Sequence, residues 1–342
     1  MRTRRINRAD VIVALPKLNI GLVKEVTALQ ECLENNNVTC SVVMNNSTLS
    51  FLHQMISVNV GRPSKVIFYN ISPVSIALTL ILRAIGCTVI QCFHEPGMDN
   101  KLNYGARLAL KIVAVEVLVF LAQTFSSESV VFSQQAAAVF RRKFKFEPHL
   151  VPLCPYAGDV VDFKEAKQDH IIFVGKIHPA KNFPLFLQLA ERLSGQYIDF
   201  SIITREIPEK YRQRVYKNGA IKIIEGHGIP DAVIEEHLGK AKLIFKLDKN
   251  MMQSGLVAQA AHFQCGCLVN NIEGFSQHVV EQVNGIIFDA ASDSHDSLVK
   301  RIEDFLLEFE SLQPMMLQLA REQQMEWRNG WKRICKVTEL KA

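Results

Sequence analysis

The chain has 342 residues, of which 48% are hydrophobic and 21% charged, and its formal net charge is +5. That length exceeds what one hydrophobic core serves and predicts two domains of roughly 150 residues each, while the composition excludes a collagenous, disordered or low-complexity protein. The mild charge, with no long basic stripe and no RNA-binding aromatic motif, argues against nucleic acid as a partner.

In chain order, the start is basic, but the apolar run behind it is short and has no small-residue cleavage site, so no secretory signal is expected. Strands are predicted over 10–15, 38–43, 65–70, 88–92 and 129–132, with helices such as 22–35 and 75–84 between them. Short β-rich runs alternating with helical patterns are the mark of βαβ units and a parallel sheet. The apolar stretch 108–125 carries Lys111 and Glu116 in its body, which is costly at a bilayer centre, so it reads as a helix that does not span. Being apolar nearly all round, it is expected to be buried in the first domain, with contact to lipid the other reading. The stretch 141–145, Arg-Arg-Lys-Phe-Lys, with Phe146 after it, suits either an anionic lipid surface or a plain solvated face.

Near 151–156 the pattern breaks, and a charged stretch from 159 to 169 without apolar periodicity reads as the domain linker. A second strand–helix series follows, with strands at 170–175, 197–203, 220–224, 241–247, 267–270 and 285–288. From His295 the chain is mainly helical, with a break marked by Pro314 and with Trp327 and Trp331 on one helical face. The expected organisation is an N-terminal domain over 1–157, a second over 168–312 and a C-terminal helical segment over 313–342. Two α/β Rossmann-like halves of this kind would face a cleft, with ligands at strand carboxyl ends.

The eight cysteines are scattered, several within runs that read as buried strands, and none has C-x-x-C spacing. They form neither a disulfide framework nor a zinc site, and they fit a reducing, cytoplasmic compartment.

Two segments carry candidate chemistry. Gly175-Lys176 to Lys181-Asn182 joins a buried strand to an amphipathic helix. Lysines and helix-terminal N–H groups at such a junction suit a diphosphate, although an exposed βα loop would read the same way in isolation. In the second, Ser254 and Gly255 open a candidate helix of small residues that lets a phosphate approach the backbone.

Taken together, segments 173–182, 255–266 and 279–288 resemble three successive blocks of the group 1 retaining glycosyltransferases, a family with the GT-B fold that includes bacterial surface-polysaccharide and O-antigen enzymes. The first half resembles that family loosely, through the Gly21 turn, His94-Glu95-Pro96 and Ser133. The resemblance implies a UDP- or GDP-linked nucleotide-sugar donor, no further cofactor, no metal, and a glycan or lipid-linked acceptor. It assigns Lys176 and Lys181 to the donor diphosphate, with a lysine where the family has arginine at 176, which keeps charge but loses bidentate geometry. Gly255, Leu256 and the amides around them correspond to the second phosphate-binding helix start, and Gly226 to the loop beside the base. His94 falls at the family's histidine near the donor sugar and acceptor; a structural histidine is the alternative.

The sequence departs from the family at its two glutamates. Their positions fall on Gln253 and Ala261, or on Met252 and Ala260 after a one-residue shift. Gln253 can still hydrogen-bond a sugar hydroxyl as a neutral amide, and Glu273 or Glu281 is left to take the ribose. The leading expectation is metal-independent hexosyl transfer. The alternatives are a catalytically silent glycan-binding or scaffold subunit and a nucleotide-sugar epimerase of the same architecture.

Overall fold

The computed structural model describes residues 10–15, 20–44, 47–58, 64–94, 106–154, 156–160, 162, 166–194, 198–249 and 252–336. The chain divides into two compact units, one formed by 1–158 with 324–342 and the other by 159–323.

Unit 1 is a doubly wound sheet. Its strands are β1 (Val11–Leu15), β2 (Cys40–Met44), β3 (Lys65–Phe68), β4 (Thr88–Phe93), β5 (Glu128–Val131) and β6 (His149–Leu150), in the order β2-β1-β3-β4-β5-β6. Every pairing is parallel. The crossovers are α1 (Ile20–Glu34), α2 (Thr48–Val58), α3 (Pro73–Ala84), α4 (Ala106–Phe125) and α5 (Gln134–Phe144). Strand β1 is buried at all five positions because it has a neighbour on each side and helices on both faces. Sequence chemistry sets the helix starts. Ser72 and Ser75 exchange side-chain-to-amide bonds in a capping box ahead of Pro73, and Ser133 caps α5 by accepting from the Ala136 amide at 3.0 Å.

Helix α4 differs from the burial expected of 108–125. Val119, Ala122 and Gln123 are buried, but Val113, Val117 and Phe120 are exposed. One face of a crossover helix is all a sheet can cover, and α4 is apolar beyond that face. No helix among the described residues is long and apolar enough to cross a membrane.

Unit 2 holds β7 (Gln168–Val174), β8 (Asp199–Thr204), β9 (Ile221–Glu225), β10 (Ala241–Lys246), β11 (Gly266–Asn270) and β12 (Gly285–Phe288), all parallel, in the order β12-β11-β10-β7-β8-β9. Counted from its own first strand this is 3-2-1-4-5-6, the order of dinucleotide-binding sheets. Its helices are α6 (Phe183–Leu193), α7 (Glu209–Lys217), α8 (Asp231–Lys240), α9 (Gly255–His262), the short α10 (Glu273–Ser276) and the long α11 (His295–Cys335). Alternation along β7 divides the core: Ile171 and Phe173 pack with α6 and α11, and Ile172 and Val174 pack with α8 and α9.

Two features depart from the sequence expectations here. Strand β7 begins at Gln168, inside the stretch read as linker. Beside it Lys167 is buried, its ammonium donating to the carbonyls of Leu238 and Gly239 at 2.8 Å and of Ala241 at 3.2 Å, which caps the end of α8. The second departure is Pro314, which lies inside α11 rather than breaking it. The missing N–H forgoes one helical bond, and the apolar contacts of Phe305, Phe309 and Met316 hold the flanking turns. Residues 324–335 of this helix belong to unit 1, where Trp327 and Trp331 are buried and Trp331 stacks on Tyr69 at 6.2 Å. All eight cysteines are buried free thiols.

Candidate functional site

In the order of the second sheet, β7 and β10 are neighbours whose crossovers depart in opposite directions, α6 towards β8 and α9 towards β11. Their loops therefore diverge at the strand carboxyl ends and leave a crevice, the topological switch point of a doubly wound sheet.

On the β7 side, Gly175 turns the chain at φ 108°, a conformation open to glycine and strained for other residues. Lys181 Nζ lies 2.8 Å from where a Cβ on Gly175 would stand, so the lysine folds back over the strand end because that position has no side chain. Lys176, next to the glycine, is exposed. Between them a 3-10 turn, Pro179–Lys181, is capped by His178, whose Nδ1 accepts from the Ala180 amide at 3.2 Å. Asn182 then adopts a left-handed conformation before α6.

On the β10 side the strand ends in a buried ion pair, Lys246 with Asp248 at 2.5 Å. Two hydrogen bonds lock this loop to its neighbours. The Lys249 amide donates to the Ala180 carbonyl at 2.9 Å, and the Asn270 side chain donates to the Asp248 carbonyl at 2.8 Å. The loop delivers the chain to Ser254, whose hydroxyl caps α9 by accepting from Val257 at 3.4 Å. The first amides of a helix have no acceptor within it. Those of Gly255 and Leu256 therefore present donors, and the positive end of the helix dipole, to an anion. Gln253, immediately before, is buried.

Burial, and after it the neighbouring Lys246 charge, hold the Lys181 ammonium down to about 8, with Asp248 partly offsetting both. Lys181 thus stands in the field of the Lys246–Asp248 pair, and the three groups form one electrostatic unit at the switch point. Sequence reasoning named Lys176 and Lys181 but missed Lys246, Asp248 and Asn270. The available signal was two opposite charges flanking the end of an apolar strand, Phe245-Lys246-Leu247-Asp248.

The remaining candidates are spread more widely. Gly226 follows β9 at the sheet edge, two strands from β7, and its amide donates to the Thr204 carbonyl at 3.1 Å. Glu273 opens α10, and its side chain lies outside the described residues. Glu281, the other carboxylate considered for the ribose, accepts from the Ile287 amide and from Arg301, each at 2.7 Å, and so braces the β12 loop. Ala260 is buried against the sheet. Gly21 lies in unit 1 within the first turn of α1, not in a turn ahead of it.

His94, also in unit 1, follows β4 and is half-buried. It stacks on Phe132 at 4.6 Å and contacts the Tyr69 ring at 5.5 Å. Its Nε2 is 3.1 Å from the Tyr69 carbonyl. Burial depresses its pKa to about 4, so the ring is neutral at pH 7. A neutral imidazole facing a carbonyl donates from Nε2, which leaves the lone pair on Nδ1. His94 is therefore a hydrogen-bonding group at neutral pH and not a charge. Glu95 and Pro96 lie outside the described residues.

Two parallel six-stranded sheets of this order, followed by a long terminal helix, match known structures along nearly their whole length. The fold is GT-B. HepE of Anabaena in complex with UDP aligns over 96% of this chain and 99% of its own, with a TM-score of 0.65 at 11% identity. WaaG, a glycosyltransferase involved in lipopolysaccharide biosynthesis, aligns over 96% and 100%, with a TM-score of 0.64 at 12% identity. A putative UDP-N-acetylglucosamine 2-epimerase from Listeria monocytogenes aligns over 95% of each chain, with a TM-score of 0.63 at 12% identity. No protein-family model matches the sequence. No curated protein matches it either. At these identities the likeness establishes the architecture alone.

Proposed function

We propose that this chain is a metal-independent glycosyltransferase that moves a hexose from a UDP- or GDP-linked donor to a glycan or lipid-linked glycan acceptor. It would act with retention in cell-surface polysaccharide synthesis, on the cytoplasmic side of a membrane. The observation that carries this reading is the convergence at one switch point of Lys181, folded over Gly175, and the amide donors of Gly255 and Leu256.

A departing nucleoside diphosphate gains negative charge on its β-phosphate as the bond to the sugar breaks. Preoriented cations and amides at that position lower the barrier without reorganising. Lys181 would supply the positive charge, Lys176 a second cation at the exposed rim, and the α9 start its N–H groups. Gln253 would offer a neutral amide to a sugar hydroxyl. The role that the family resemblance gives His94 would be that of a neutral hydrogen-bonding group and not of a charge. The acceptor's proton would leave to the departing phosphate oxygen or to water, which requires no protein carboxylate.

A silent binding subunit is the second reading, favoured by the absence of a carboxylate at both family positions in either alignment, Gln253 with Ala261 or Met252 with Ala260. An epimerase on this architecture is the third, supported by the likeness to the Listeria protein described as a putative UDP-N-acetylglucosamine 2-epimerase.

Calorimetric titration with UDP, GDP and their common sugar conjugates, on the native chain and on Lys181→Ala, tests the proposal. The expected result is micromolar binding of one nucleotide, weakened at least tenfold by the substitution. Failure to bind any nucleotide would overturn the transferase reading and leave the silent subunit.

A further inference from the structure

Helix α1 buries Glu25, Ala28, Leu29 and Cys32 at helical spacing, and Glu25 is only 3% exposed on a face that is otherwise apolar. A carboxyl in that place costs stability that a leucine or methionine would not. It bonds to the Tyr69 hydroxyl, while its Oε2 has no hydrogen-bond partner among the described residues. Burial pushes the carboxyl up to about 8, with the Tyr69 bond opposing, so the group is a neutral acid at pH 7. The thiols of Cys92 and Cys154 lie near the pair and are themselves pushed up by burial, so they too are uncharged. No step of the proposed transfer uses Glu25.

Strand order shows what the acid reaches. Strands β1, β3, β4 and β5 are adjacent and parallel, so Tyr69, His94 and Phe132, each the first residue beyond its strand, stand in a row at the carboxyl edge of the sheet. The Tyr69 amide donates to the Ala14 carbonyl of β1 at 2.9 Å, beside the strand from which the chain passes into α1. Tyr69 holds His94 in two ways. Its carbonyl takes the Nε2 proton at 3.1 Å, and its ring lies 5.5 Å from the imidazole, which is stacked on Phe132 at 4.6 Å. Phe132 at 5.6 Å and Trp331 at 6.2 Å pack on the Tyr69 ring. The Glu25 carboxyl anchors the hydroxyl end of that ring, and a directional bond fixes a ring's tilt more sharply than apolar packing does.

We propose that Glu25 is a positioning residue for His94: through the Tyr69 hydroxyl it fixes the residue whose ring and carbonyl hold the imidazole, and so keeps His94 in one orientation with its proton on Nε2. The bearing of this on glycosyl transfer rests on the role proposed for His94 above, whereas the positioning itself needs no nucleotide.

Nuclear magnetic resonance of the full chain with nitrogen-15 in its histidine rings tests it, the His94 signal being assigned by its loss in His94→Gln. The native chain at pH 7 should show His94 as a single tautomer with a slowly exchanging Nε2 proton. Tyr69→Phe, which removes only the hydroxyl, and Glu25→Ala should each speed that exchange about tenfold and mix the tautomers. Glu25→Gln, which like the neutral acid offers Tyr69 an uncharged acceptor, should restore the native signal. If Glu25→Ala fails to fold, Tyr69→Phe and Glu25→Gln still decide the matter. Variants that lower the melting temperature but leave the His94 tautomer and exchange unchanged would overturn the proposal, because Glu25 would then serve the core alone. So would a Glu25→Gln chain that disturbs His94 as much as Tyr69→Phe does. Titration of the same variants with UDP should match the native chain. Failure of the native chain to bind UDP would count against the transferase reading alone, since the His94 signal is read without nucleotide.

Discussion

Raising the pH should weaken nucleotide binding as Lys181 loses its proton. Burial and the neighbouring Lys246 hold this ammonium down to about 8 in the ligand-free chain, against a usual lysine value near 10.5. A bound diphosphate favours the protonated form, so the ligand must bind to, or create, the charged lysine. Below about pH 8 that form predominates and affinity is flat. Above it, each pH unit costs close to tenfold in affinity, or about 1.4 kcal/mol, until the higher pKa of the complex is reached. UDP titrates nearer pH 6 and contributes nothing above 7. Calorimetry from pH 7 to 9.5 would read the break, and buffers of differing ionisation heat would register proton uptake at pH 9. The position of the break is itself diagnostic. Asp248→Asn removes the group that raises Lys181 and should move the break to lower pH, whereas a merely structural role for Asp248 would change affinity without moving it. Affinity unchanged from pH 7 to 9.5 would refute the reasoning, because Lys181 would then take no part in anion binding.

Other expectations concern the scaffold. Gly285→Ala would place a Cβ 2.1 Å from the Cys267 carbonyl oxygen across the β11–β12 pairing; backbone cannot yield cheaply there, and a loss of roughly 3 kcal/mol should appear as a lower denaturant midpoint. Gly175→Ala meets a flexible lysine terminus but also a φ of 108°, so it should cost on the order of 1–3 kcal/mol of stability and displace Lys181, weakening nucleotide binding as well. Glu25 is buried and its carboxyl is pushed up to about 8 by desolvation, with the Tyr69 hydroxyl bond opposing. Between about pH 4.5 and 8 the folded chain therefore keeps a proton that the unfolded chain has released, so stability falls as pH rises through that window. Glu25→Gln retains an acceptor for Tyr69 and removes the titration; its melting temperature should be less dependent on pH between 5 and 8.

Much of this architecture was legible because apolar runs of strand length are hard to mistake. The eleven strands expected along the chain all appear, and the start of the second series was displaced only because Gln168 and Asp169 are polar residues at an exposed strand end. The two-residue β6 carries too little pattern to be read. Pro314 misled because a single lost hydrogen bond in a long, well-packed helix is tolerated. The exposure of α4 could not be inferred, since periodicity cannot tell a helix covered on all sides from one covered on a single side. At the site, the loops carrying Lys181 and Gly255 were visible from their position at strand ends. The Lys246–Asp248 pair was not, because nothing in the sequence shows that the β7 and β10 ends lie next to each other. That adjacency is a consequence of strand order.

Under the proposed function, the diphosphate of a nucleotide sugar sits at the switch point of the second sheet. A crystal structure of the chain grown with UDP tests it most directly. Diphosphate oxygens are expected within hydrogen-bond reach of the Gly255 and Leu256 amides and of Lys181 Nζ. A nucleotide bound elsewhere, or one whose phosphates touch neither Lys181 nor the α9 start, would contradict it.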